Sequence, residues 1–501
     1  MGIQEQQRQL CNMLDRLKAI NVNTVLLQAR VRATTIYPSD MEPWDGCLSG
    51  KPGLSPGYDA LQFAIDECHR RGMELHAWVV TIPIGKWKTY GCQQLRRRYP
   101  SMVKRIGEEG YMNPESPQTA SYLADICEEL TRRYDIDGIH LDYIRYPETW
   151  RGRKSHEMIT RIVRSIRDKV KMHKPWVKLS CSPIGKYDDL SRYRSNGWNA
   201  YSRVAQDAQG WMREGWMDQL HPMMYFSGNH FYPFAIDWQE NSYGHTVSAG
   251  LGVYMLSPGE RNWPLGEMQR QLNVARSIGI GHTFFRAKFL LDNVKGIYDY
   301  VLLFDSTPAL VPPVTWSGYP SPAAPVALRV AHTADGDKLS WDEGRDNSDG
   351  PYLLYNVYAA DSFPVDISRA NHLLTARHLW RHLDVRNGKQ PRYYAVTAVD
   401  RYGNESAACQ QAHPASPASE KVVRGMIAND GQQLQLPSVP FDAREVIIAS
   451  MLGTQLYTLR YQPVIDISHI PEGTYTLIMR NNKRITHQVG NFIVKRPASR
   501  T

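Results

Sequence analysis

Up to about residue 300 the chain alternates short apolar runs with amphipathic stretches of helical period, a rhythm that specifies parallel βα units. Leu10 to Ala19 reads as a helix, with Asn23-Thr24-Val25-Leu26-Leu27-Gln28 as the strand after it. A helix from Tyr58 to Arg71, stopped by Gly72, precedes a strand from Glu74 to Val80. A helix from Gln118 to Arg133 then leads into Gly138-Ile139-His140-Leu141-Asp142. Four more strands are expected at Val177 to Cys181, Met217 to Tyr225, Thr246 to Tyr254 and His282 to Arg286. The fold class is therefore α/β, a (β/α)8 TIM barrel over residues 1–315 with seven of its eight strands in evidence. An open edge would expose backbone donors and acceptors, so the expectation is that the first strand, and any export signal, precede Met1.

The rhythm changes after a proline-rich linker, Pro308 to Pro325. Leu339-Ser340-Trp341, Tyr355 to Tyr358 and Tyr393 to Asp400 alternate with period two, as half-buried antiparallel strands do. A fibronectin type III-like sandwich is expected over 322–415 and a second all-β module over 420–501. In that last module, Met451-Leu452-Gly453 and Ile470 to Tyr475 resemble the C-terminal sorting domains of secreted bacterial proteins, and a plain β-sandwich reads equally well.

Bulk composition excludes some partners. The net charge is +9, but Lys and Arg are spread along the chain and runs such as Arg96-Arg97-Arg98 are short, so no nucleic-acid partner is expected. No stretch approaches the roughly 18 apolar residues of a membrane span. The seven cysteines show neither paired CxxC spacing nor a zinc pattern, and no His/Asp cluster has ligand spacing. No metal or cofactor is implied.

Chemistry in such a barrel sits at the C-terminal ends of the strands. Asp142 ends the Gly138 strand and is followed by Tyr143, Arg145 and Tyr146. A carboxylate there suits glycoside cleavage, as nucleophile or as stabiliser of an oxocarbenium-like transition state. Asp137 opens the same strand at the opposite face and reads as structural. Other strand ends and their loops offer Arg30, Tyr37, Glu42 and Trp44, then His76 and Trp78, Ser182, His221 and Tyr225, Tyr254, and Arg286. Each alone has a bland reading as packing, yet their recurrence at successive strand ends describes a pocket for a polar, partly anionic sugar chain. Most glycosidases need a second carboxylate. Glu148, on the loop after Asp142, is the first choice and Glu42 the second.

With these residues set out, the chain resembles the glycosyl hydrolase-like 10 group, whose barrels carry an Asp-Gly-Ile/Val-x-x-Asp strand. The resemblance covers about residues 1–305 through Tyr37-Pro38-Ser39, Pro43-Trp44, Pro56 to Asp59, Arg71 to Trp78, Asn113-Pro114, Ser182-Pro183 and Phe285-Arg286. It implies a secreted enzyme or outer-membrane lipoprotein of the bacterial envelope, acting on peptidoglycan glycan strands freed of peptides, and located in the periplasm, in the outer membrane or outside the cell. The family barrel also opens with a strand ahead of the first helix. Some relatives carry a second Asp where this chain has Tyr143, and some an acidic residue where it has Ala287-Lys288. The competing reading is a non-catalytic carbohydrate-binding protein on the same scaffold. Another is an adhesive or scaffolding chain whose β modules do the work.

Overall fold

The computed structural model describes residues 2–496 apart from 194, 196, 334, 387–392, 413–426, 428, 437–441 and 482–485. The expected boundary between the two β modules, 415 to 420, lies outside the described residues.

Seven parallel strands form one sheet in sequence order: β1 (Thr24–Arg30), β2 (Glu74–Val80), β3 (Gly138–Asp142), β4 (Lys178–Cys181), β5 (Gln219–Leu220), β6 (Thr246–Leu251) and β7 (Gly281–Phe284). Helices return the chain between strands, among them α1 (Ile3–Ala19) before β1, α2 (Ala60–Arg70) before β2 and α4 (Pro117–Arg133) before β3, with α3 (Tyr90–Arg98) in the connection from β2. The sheet is curled. The Trp78 ring on β2 lies 6.3 Å from Phe285, next after β7, although four strands separate β2 from β7. The interior strands are buried, whereas β1 and β7 are half-exposed at the two edges, flanking the eighth position of a (β/α)8 barrel. Contacts across that side join α1 to the chain's return, with the Tyr298 hydroxyl donating to the Arg16 carbonyl at 2.8 Å and Asn21 Nδ2 to the Asp305 carbonyl at 2.7 Å.

Alternation along the strands sorts the core into two zones. Leu75, Ala77 and Val79 of β2, Ile139 and Leu141 of β3, and Leu179 of β4 face outward and bury against helices, where Leu61, Ile65, Leu123 and Ile126 meet them. The inward residues are polar instead: Glu74 and His76, His140, Lys178 and Ser180. All five are at most 3% exposed. Glu74 Oε1 and Lys178 Nζ form an ion pair at 2.7 Å on the barrel floor. Position 138 must be glycine, because a Cβ there would stand 2.5 Å from His76 Nδ1 on the neighbouring strand. That contact explains the Asp137-Gly138 dipeptide.

A β-sandwich follows the linker. A three-stranded sheet (Val326–Thr333, Gly336–Asp342, His382–Val385) packs on a four-stranded one (Leu373–His378, Leu354–Ala360, Tyr393–Val399, Cys409–Gln410) around Trp341, Tyr355, Val357 and Tyr394. It is seated on the barrel floor. Arg377 Nη2 meets Asp137 Oδ1 at 2.5 Å and its Nη1 meets Glu74 Oε1 at 3.0 Å. Arg401 reaches Asp135 at 3.1 Å and Asp137 at 3.2 Å, and the Tyr352 hydroxyl donates to Asp135. Gly72, at φ +69, lies so close that a Cβ would sit 2.1 Å from the Ala376 carbonyl oxygen. In the linker, the Trp316 ring meets His245 at a tilt, with centroids 4.0 Å apart, and donates to Asp218 at 3.0 Å. The last module is again antiparallel, a four-stranded sheet from Ala443–Ser450, Gln455–Arg460, Gly473–Asn481 and Thr486–Val494, with a two-stranded one beside it.

Among the described residues, no helix is long and apolar enough to cross a membrane.

Candidate active site

Asp142 closes β3, and the chain turns at once through Tyr143, which holds a left-handed φ of 56°. Thr81 pins the Asp142 backbone, its N–H and hydroxyl both donating to the Asp142 carbonyl, at 3.0 and 2.9 Å. The carboxylate is held at both oxygens: Trp78 Nε1 donates to Oδ2 at 3.2 Å and Ser182 Oγ to Oδ1 at 3.1 Å. Burial raises the pKa of this carboxyl. The hydrogen bonds from Ser182, the Tyr143 backbone and Trp78, and the charge of Arg145, oppose the rise without cancelling it.

An aromatic wall stands beside it. Phe285 stacks with Tyr225 at 5.7 Å and 23°, takes Tyr254 edge-on at 5.7 Å, and faces Trp78. Burial, then the nearby charge of Asp142, raises the pKa of the Tyr225 hydroxyl. The Arg286 guanidinium lies 5.5 Å over the Phe289 ring, which also neighbours Tyr254.

The loop after Asp142 brings a second carboxylate. Arg145 is buried, lies 3.7 Å over the Tyr143 ring and 6.0 Å from that of Trp198, and pairs with Glu148 at 2.8 Å. The Tyr143 hydroxyl donates to the other oxygen of Glu148. Partial burial works to raise the Glu148 pKa, but the Arg145 hydrogen bond and charge hold it below the ordinary carboxylate value. Arg145 thus lowers both acids; burial still leaves Asp142 raised, whereas Glu148 ends below its ordinary value. Trp198 is 42% exposed beside this cluster.

Several residues expected at the mouth lie elsewhere. Glu42 is buried, with Arg30 donating to both its oxygens, Nε at 2.8 Å and Nη2 at 2.7 Å, and the Tyr122 hydroxyl adding a third bond at 3.1 Å. Those oxygens hold a fully buried guanidinium and are not free for acid/base chemistry. Arg30 also donates to the carbonyls of Val80 and Thr81, so this pair braces the end of β2. Tyr37 is fully buried, donating to Glu129 at 3.2 Å with its ring edge-on to Tyr134. Tyr146 is fully buried against Trp150. His76 sits deep in the lumen with Nε2 3.0 Å from Glu74. His221 is 8% exposed, packs against His140 at 5.3 Å, and shares a hydrogen bond with Thr283. Burial pushes its pKa down to about 3, so it is neutral at ordinary pH. Trp44 pairs through its backbone with Thr35, in the loop after β1. The structure therefore gathers Asp142, Trp78, Tyr225 and Tyr254 in one group and Arg145 and Glu148 in an adjoining one. Tyr143 joins as the residue expected next to Asp142, and Trp198 and Phe285 join without having been among the expected site residues. Phe285 carried a signal, as the residue directly before Arg286 at a strand end.

Among the described residues, no group of three or more His, Cys, Asp or Glu is placed to hold a metal ion.

A curled parallel sheet with a carboxylate at one strand end and an aromatic wall beside it defines a glycosidase-like barrel. The chain belongs to the glycosyl hydrolase-like 10 family, whose model matches residues 3–157 and 148–251. Glycosyl hydrolase YngK of Bacillus subtilis (strain 168) is 26% identical over 459 residues, 82% of this chain and 89% of that protein. Glycosyl hydrolase DigH of Escherichia coli (strain K12) is 28% identical over 260 residues, 44% of this chain and 58% of that one. Among solved structures, alpha-L-fucosidase isoenzyme 2 from Paenibacillus thiaminolyticus aligns over 91% of this chain and 94% of its own, at TM-score 0.41 and 12% identity. That likeness is too loose to bear on the chemistry.

Proposed function

We propose that this chain is a glycoside hydrolase of the bacterial envelope that cleaves peptidoglycan glycan strands freed of their peptides, working in the periplasm, at the outer membrane or outside the cell. The observation that carries the hydrolase reading is the seat of Asp142, a carboxyl raised by burial, fixed by Trp78 and Ser182, and set beside the Tyr225, Tyr254 and Phe285 rings. Two carboxyls whose environments push their pKa values apart mark an acid and its partner. In this reading Asp142 gives its proton to the glycosidic oxygen as the bond to the anomeric carbon breaks. The ionised Glu148 meets the carbon directly or through a water. That reverses the roles expected from strand position alone, where Asp142 was the ionised group. The aromatic rings hold the apolar faces of the sugars, and Arg286 and Arg145 suit a glycan bearing carboxylates.

The test is digestion of peptide-free glycan strands, with products read by mass spectrometry for wild type and Asp142→Asn. The wild type is expected to release short oligosaccharides, and the variant to lose about 10²- to 10⁴-fold in rate while still binding the strands. No products from the wild type on any envelope glycan, with binding intact, would favour the carbohydrate-binding reading. One observation leans that way: Glu148 is bound to Arg145 and Tyr143 and 44% exposed.

A further inference from the structure

Away from Asp142, a crevice of about 490 Å³ opens between the loop after β1 and helix α3. Met41, Pro43 and Leu95 give it an apolar floor, and Tyr90, Arg97 and Arg98 stand around it. Its walls are built in advance. Glu129 fixes the loop by accepting from Ser39 Oγ at 2.6 Å and from the Asp40 N–H at 2.8 Å. At Gly91 a Cβ would come within 2.4 Å of the Ala33 carbonyl oxygen, so glycine lets the helix seat against the loop. The Tyr90 ring rests on Gly53, where a Cβ would meet it at 2.8 Å, yet it stays 41% exposed.

The charges around the crevice do not balance. Glu42 is neutralised by Arg30, while Arg133 serves two acids, Asp40 and Glu129. Arg97 and Arg98 are exposed, and neither pairs with an acid among the described residues; Arg98 lies 5.3 Å over the Tyr99 ring. Two guanidiniums outside any ion pair among the described residues thus adjoin an open aromatic face, in a volume within the roughly 300–1,000 Å³ of small-molecule sites.

We propose that this crevice is a second, non-catalytic glycan site that takes one or two residues of an acidic polysaccharide. A sugar ring lies on Tyr90 and the apolar floor, and its carboxylate pairs with the Arg97 and Arg98 guanidiniums. Polymer held there stays near the mouth: Arg30, which grips Glu42, also donates to the Thr81 carbonyl, and Thr81 pins Asp142. The identity of the natural polymer rests on the function proposed above. The binding does not.

The experiment is calorimetric titration of the full chain with hexagalacturonate, and with maltohexaose as a neutral hexamer, at low and high salt. Wild type should bind the acidic hexamer more tightly and lose part of that preference at high salt. Arg97→Gln/Arg98→Gln should weaken binding of the acidic hexamer about ten-fold and Tyr90→Ala about five-fold, with cleavage of a short soluble substrate unchanged. Equal affinity for both hexamers in the wild type, or unchanged acidic binding in the double variant, would overturn the proposal. A wild type that binds through these arginines yet cleaves no glycan would sink the hydrolase reading and leave the site standing.

Discussion

The indole Nε1 of Trp78 donates to Oδ2 of Asp142 at 3.2 Å, while the same ring faces Phe285 and packs edge-on to His140 at 6.0 Å. One side chain thus belongs both to the wall that would hold sugar and to the seat of the acid. Trp78→Phe keeps an aromatic ring and removes the donor. A hydrogen bond to the charged form favours ionisation, so its loss should raise the Asp142 pKa further and move the alkaline limb of the kcat/KM profile upward. The rate at the optimum should fall by roughly ten-fold or less. A limb that stays in place contradicts the assignment of Asp142 as the proton donor.

Asp142 also links stability to pH. Its folded pKa lies above the unfolded value, so its contribution is fully present below the unfolded pKa and is lost as pH rises through the folded one. Asp142→Asn removes a partly buried charge at neutral pH. Its Tm should exceed that of the wild type there by about 1–3 °C, and the gap should close in acid, as read by calorimetry across pH.

Arg377 is predicted to be the key to the docked sandwich. Glu74 and Asp137 are 2% and 3% exposed, and Arg377→Ala leaves both short of a cation. Breaking a buried pair of this kind costs about 3–5 kcal/mol, measurable by denaturant titration of the full chain. Gly72→Ala should weaken the same seam from the other side, by collision with the Ala376 carbonyl.

The seam should also be acid-sensitive. Burial works against it, yet His69, Arg377 and Arg401 hold Asp137 well below the usual carboxylate range, and Arg401 and His69 lower Asp135. Glu74 is depressed too, its burial outweighed by Lys178 and Arg377. The stability these groups contribute is present above their unfolded values, about pH 4, and is lost as pH falls through the depressed ones. His69 has the opposite sign: buried, but raised by Asp137, it stabilises below about pH 6.5 and stops doing so as pH rises through its folded pKa. Arg377→Ala should therefore show a shallower acid limb of Tm than the wild type. Parallel limbs would show that the arginine does not set those carboxyls.

Tyr254→Ala should raise KM on glycan about ten-fold with kcat nearly unchanged, since the ring meets Phe285 and Tyr225 and is placed to hold sugar rather than move protons. Steady-state kinetics separates the two effects.

The barrel was legible because helix and strand periods differ: five of the seven strands match the expected segments within two residues at both ends, while β5 and β6 stop five and three residues short of the expected Tyr225 and Tyr254. Asp142 was legible for a related reason, since a strand's last residue faces the mouth. Depth was harder to read. His76 and Trp78 share a face of β2, but His76 lies two residues, about 6–7 Å, further from the mouth and turns to Glu74. Glu42 looked like a free loop acid because nothing local announces that Arg30, twelve residues earlier, will be buried against it. The seam was hidden most completely, for its cations stand 240 and 264 residues after Asp137. Asp137 reads from the sequence as structural, without any sign there of the His69, Arg377 and Arg401 it holds.

That separation also orders events during synthesis. The barrel's floor acids leave the ribosome long before Arg401, and at about 5–20 residues per second the wait for 264 residues is roughly 13 to 53 s. For that interval Asp135 and Asp137 are without Arg401, and the seam they form with the sandwich closes only after its strands emerge.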